Sequence, residues 1–125
     1  MQWWMVALGG ALGSVLRFAL VSITPLLGTA RFPLGVLLVN IIGSLCIGIA
    51  YVLLGEQQLL SDNWRQFFIA GLLGGFTTFS SFSLDILQLI STGHAFMAII
   101  YVSASVGIGL CAAYVGCLVA QHFLH

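Results

Sequence analysis

Four long apolar runs, separated by short connectors, leave this chain little choice of fold. They cover residues 3–23, 34–54, 65–90 and 95–122. Each approaches or exceeds the roughly 20 residues a helix needs to cross the hydrocarbon of a bilayer. Lipid offers no partner to a peptide N–H or C=O, so each run must satisfy its own backbone as a helix. The expected fold is an all-α membrane protein with four transmembrane helices, one domain spanning residues 1–125.

Composition closes off other classes. Charged residues are 5% of the chain, against about a quarter in soluble domains. Three arginines and no lysine make no basic patch for nucleic acid. No basic start precedes the first apolar run, so a cleaved signal peptide is not expected. Cys46, Cys111 and Cys117 lie in apolar segments without disulfide or zinc spacing and are read as reduced, buried thiols. The connectors at 28–33, 55–63 and 91–94 are too short for an extramembrane domain. Function is therefore expected inside the membrane.

Topology follows the Lys/Arg imbalance between loops. Here Arg31 and Arg65 fall at opposite sides and Arg17 within the first span, so the bias is nearly nil. Both orientations are then expected, and two copies can pair antiparallel. Four helices are also few for enclosing a pathway, which again favours a dimer. Gly9-x-x-x-Gly13 and Gly71-x-x-x-Gly75 are close-packing spacings for membrane helices.

Polar residues stand out against this background. Asn40 sits inside an apolar span, where an amide is costly without a partner and usually faces protein, water or a solute. The third span carries Gly74-Gly75-Phe76-Thr77-Thr78-Phe79-Ser80-Ser81-Phe82-Ser83. Glycine and threonine both weaken helices, so a break near the middle of this span, at Gly74–Thr78, is expected. It is either a kink buried by neighbours or a point where freed carbonyls meet an ion.

Phe79 and Phe82, three apart, are either lipid-facing or core rings, or they present their positive edges to an anion. Thr77, Thr78, Ser80, Ser81 and Ser83, with Asn40, supply hydrogen-bond donors without fixed positive charge. Such a site holds a desolvated anion weakly enough to release it. Asp85 either pairs with an arginine, meets the donor-rich path, or lies at the interface. Arg17 either snorkels to headgroups or attracts anions to a vestibule. Tyr101 and Ser105 share a helix face with four-residue spacing, either continuing a polar line with Ser103 or bonding between helices. His94, His122 and His125 show no metal spacing, and no nucleophile–base–acid set or phosphate loop is present.

The segments Gly9–Arg17, Gly35–Ser44 and Gly71–Phe82, with Tyr101 and Ser105, resemble the Fluc fluoride channels, also called CrcB-like proteins, along the whole chain. The resemblance implies an antiparallel dual-topology homodimer with two fluoride pores in the bacterial plasma (inner) membrane. It implies a pore donor at Asn40 and an aromatic box of Phe79 and Phe82. It further implies a polar track through Tyr101 and Ser105, and a central structural sodium ion on the backbone carbonyls of Gly74 and Thr77 from both subunits. Two positions depart from the family pattern. Val36 replaces a usual threonine, so the track is either shorter or leans more on Ser80 and Ser83, and Asp85 replaces a longer glutamate. The implied function is passive fluoride export, not catalysis. The rival is a small proton-coupled multidrug exporter of similar size, which needs an acid in its first span where this chain has Arg17.

Overall fold

The computed structural model describes residues 3–24 and 32–124. The loop around Arg31, together with His125, lies outside the described residues. Four helical segments there are long and apolar enough to cross a membrane: Trp3–Ile23, Leu34–Glu56, Asp62–Ser91 and Ala95–Leu124.

The first is a single helix, α1 (Trp3–Ile23). The second begins as α2 (Leu34–Ala50), with Pro33 just ahead of its first turn, where a missing N–H costs nothing. It then widens into π-helical turns over Tyr51–Glu56. The third is composite. Helix α3 (Asp62–Gln66) passes into π-helical Phe67–Leu73 and then α4 (Gly74–Phe76). The backbone is extended at Thr77, with φ −82° and ψ 157°, and α5 (Ser80–Ser91) follows. Arg65, expected to start this span, is instead in the turn before Phe67, paired with Asp62 at 2.8 Å. The fourth segment is α6 (Ala95–Leu124), one unbroken helix.

The turn between α5 and α6 is a Schellman closure. Gly93 adopts φ +81°, His94 N–H bonds the Leu89 carbonyl at 2.7 Å, and Gly93 N–H bonds that of Ile90 at 3.2 Å. The left-handed position suits glycine because it has no Cβ to clash.

Small residues set how closely the segments pack. Helix α1 lies against the π-helical stretch and α4, and α2 lies along α6. A Cβ on Gly75 would come within 2.6 Å of the Gly10 carbonyl, and one on Gly71 within 2.8 Å of that of Val6. On the other side, a Cβ on Gly48 would run into the Ala113 carbonyl, and one on Gly116 into that of Leu45. Lipid is as apolar as leucine, so backbone-to-backbone contact of this kind drives membrane helices together. Gly74 stays in helical geometry, φ −62° and ψ −38°. Helical geometry stops at Thr77, after both glycines, so Gly75 serves packing against α1 rather than marking the interruption.

The core between α2, α5 and α6 consists of Val36, Leu37, Phe82, Leu89, Ala98 and Tyr101. Val36 is buried here among apolar neighbours.

Candidate functional site

Helical periodicity brings one face of α2 to the interruption. Asn40, Gly43, Ser44 and Ile47 recur at the three- and four-residue spacing of a single helix stripe. They form one wall of an open groove of about 560 Å³. The opposite wall comes from Gly74, Thr77, Thr78, Phe79 and Phe82, and the floor from Ser105 and Val106 of α6. Gly43 permits this approach, because a Cβ there would collide with the Thr77 methyl group.

Asn40 is bonded twice to one residue 38 positions away. Its Nδ2–H donates to the Thr78 carbonyl at 3.1 Å, and its Oδ1 accepts from the Thr78 N–H at 3.0 Å. An amide nitrogen carries two hydrogens, so one N–H of Asn40 is unspent among the described residues and available to the groove. The rest of the interruption is satisfied locally. Thr77 N–H and Oγ1 both reach the Leu73 carbonyl at 3.0 Å, and Ser81 N–H bonds Thr78 Oγ1 at 3.1 Å. Because Thr78 N–H goes to Asn40 and Ser81 N–H to Thr78 Oγ1, the carbonyls of Gly74 and Thr77 lose the partners a continuous helix would give them.

Phe79 and Phe82, three residues apart, end in different surroundings. Phe79 caps α5 from outside and is 78% exposed, whereas Phe82 is 9% exposed in the core. Their ring centroids are 5.7 Å apart. Phe82 continues to Tyr101 at 5.0 Å and Tyr101 to Phe32 at 5.7 Å, edge-on at 84°. Four rings thus run from the groove into the core.

The other sequence candidates divide. Ser105 lies in the groove with its hydroxyl oxygen buried and without a hydrogen-bond partner among the described residues. Buried polar atoms are normally paired, so this hydroxyl is an exception among the described residues. Tyr101 does not line the groove. It is fully buried behind Phe82, and its hydroxyl donates to Asp85 Oδ2 at 3.0 Å. Ser83 donates to the Phe79 carbonyl at 3.0 Å, and Ser80 faces Thr78 Oγ1 at 3.3 Å. Neither serine is in the groove wall. Asp85 has Tyr101, not an arginine, as its partner, and Arg17 makes no ion pair among the described residues. Ser44 and Thr78 share the groove although sequence reasoning gave Ser44 no role. Its position four residues after Asn40, on the same stripe, was the signal for it.

Comparison with known proteins shows the family. The family model described as "CrcB-like protein, Camphor Resistance (CrcB)" matches residues 4–117. A protein of Francisella philomiragia named "Fluoride-specific ion channel FluC" is 46% identical over 116 residues, covering 90% of this chain and 88% of that protein. Proteins of the same name from Saccharophagus degradans and Coxiella burnetii are 41% and 40% identical, covering 95% and 94% of this chain and 89% and 95% of theirs.

Proposed function

The chain belongs to the CrcB-like family, and from that premise we propose that it is a fluoride-selective channel that exports the ion passively and relieves its toxicity. Hydrogen fluoride is neutral enough to cross lipid and ionises in a less acidic cytoplasm, where the anion is trapped. A conducting path for the ion lets a membrane potential, negative inside, drive it out without another energy source.

One observation carries the reading. Asn40, Phe79, Phe82 and the orphaned Ser105 hydroxyl converge on one groove that contains donors but no formal charge. Fluoride crossing lipid must exchange its water shell for other donors. The free Asn40 N–H and the hydroxyls of Ser105, Ser44 and Thr78 are such donors, and the ring edges of Phe79 and Phe82 carry partial positive charge. Neutral donors repay desolvation and still release the ion, as conduction requires.

A second, antiparallel copy closes the groove in this reading. The groove is open in one copy and Phe79 is 78% exposed beside it. Three arginines and no lysine leave the Lys/Arg signal for a single orientation balanced. The resulting protein is a single-domain, dual-topology homodimer of the bacterial plasma membrane, enclosing two routes.

The carbonyls of Gly74 and Thr77, released from the helix ladder by Asn40 and Thr78 Oγ1, fit a hard cation, which takes oxygen ligands. Four such carbonyls from two copies would hold sodium at the dimer centre. Its charge, when bound, favours an anion nearby and steadies the interrupted backbone.

Reconstitution into potassium fluoride-loaded vesicles tests the whole reading. Valinomycin should release fluoride to a selective electrode, with chloride retained and no proton gradient required. Proton-coupled cation movement, or no flux, overturns it.

A further inference from the structure

The carboxamide of Asn40 stands to Thr78 as a neighbouring strand stands in a β-ladder, occupying both backbone polar groups of one residue. The Thr78 N–H it takes is the one that would otherwise close onto the Gly74 carbonyl. Without that acceptor, the part-buried Thr78 N–H is left to regain its helical bond, since an unpaired N–H costs the desolvation of the group. Helix repair would consume the Gly74 carbonyl. Gly74 itself is already in helical geometry, so the repair is a turn of Thr77 from its extended ψ of 157° into the helical region.

We propose that Asn40 is the positioning residue of the cation site as well as a donor to the anion route. Its clamp on Thr78 keeps the Gly74 carbonyl available, so a single side chain couples the two sites. This inference rests on the sodium reading above and deepens it. Ser105 lines the same groove but its hydroxyl makes no hydrogen bond to the interruption among the described residues, which makes it the internal comparison.

The test is thermal unfolding of the purified, detergent-solubilised protein across sodium concentrations, with N-methylglucamine holding ionic strength. Sodium should stabilise the wild type. Asn40→Ala should raise the concentration for half-maximal stabilisation about tenfold, the scale of one or two lost hydrogen bonds. Ser105→Ala should leave that concentration unchanged while reducing fluoride flux. Asn40→Asp retains an oxygen acceptor for Thr78 N–H and should keep the sodium response while losing flux. It carries the test if Asn40→Ala fails to fold. A wild type indifferent to sodium overturns the cation reading and this inference with it. A wild-type sodium response in Asn40→Ala, its loss in Asn40→Asp, or an equal loss in Ser105→Ala overturns the inference alone.

Discussion

Tyr101 of α6 spends its hydroxyl proton on Asp85 of α5, at 3.0 Å, while its ring lies 5.0 Å from Phe82. The donor a sequence reader would offer to a passing anion is thus turned to an acid on the neighbouring helix. What Tyr101 gives the groove is support, because its ring backs the ring that lines it.

Tyr101→Phe keeps that support and removes the bond. It should lower unfolding stability by about 1.5–3 kcal/mol, the range of a hydrogen bond to a charged group. Fluoride flux should fall no more than a few-fold. Adding Asp85→Asn to Tyr101→Phe should cost nothing further, the non-additivity expected of two residues acting through one contact. Denaturation of the two single variants and the double one checks this, and additive losses would refute it.

Ser105 and Ser83 make a matched pair. The Ser105 hydroxyl is buried and unpartnered, whereas that of Ser83 is satisfied by the Phe79 carbonyl. Ser105→Ala should reduce fluoride efflux about tenfold, the size of one charge-assisted bond. Ser83→Ala should leave efflux near wild type. Electrode traces from vesicles at equal protein load decide it, and equal effects would remove Ser105 from the route.

The two phenylalanines should separate function from folding. Phe79 is exposed, so Phe79→Ile should change stability by less than about 0.5 kcal/mol yet sharply reduce flux, with the assembly intact on size exclusion. Phe82 is a core residue, and Phe82→Ala should cost about 3–5 kcal/mol. Wild-type efflux in Phe79→Ile would show that its ring does not face fluoride.

Glycine substitutions should follow the backbone distances. A Cβ at Gly48 meets the Ala113 carbonyl, whereas one at Gly107 meets nothing within 4 Å. Gly48→Ala should destabilise by about 1–3 kcal/mol through overpacking. Gly107→Ala should be neutral or gain up to about 1 kcal/mol from helix propensity. Thermal midpoints of the two variants test the order.

Much of this arrangement could be read along the chain. Residues 3–23 appear as α1 with the expected bounds, because span length and apolarity are local properties. Asn40 was conspicuous for the same reason, as was Ser105 beside Tyr101. Other assignments required contacts. Glycine and threonine propensity pointed to Gly74–Thr78 as the weak point, and only the structure shows that within it Gly74 is helical and Thr77 is the extended residue. The partner that takes its neighbour's N–H is 38 residues away. Ser80 and Ser83 looked like Ser105 in sequence and differ from it in having their hydroxyls engaged.

The sequence by itself determined that this chain crosses a membrane four times and carries a small set of polar groups there. Hydrocarbon accepts no unpaired backbone, and that constraint acts on each segment alone. Tertiary structure decided which of those polar groups are already spent and which remain open to a solute. Hydrogen bonds are settled by ångström-scale approach between segments distant in the chain, and here glycine contacts between helices set that approach.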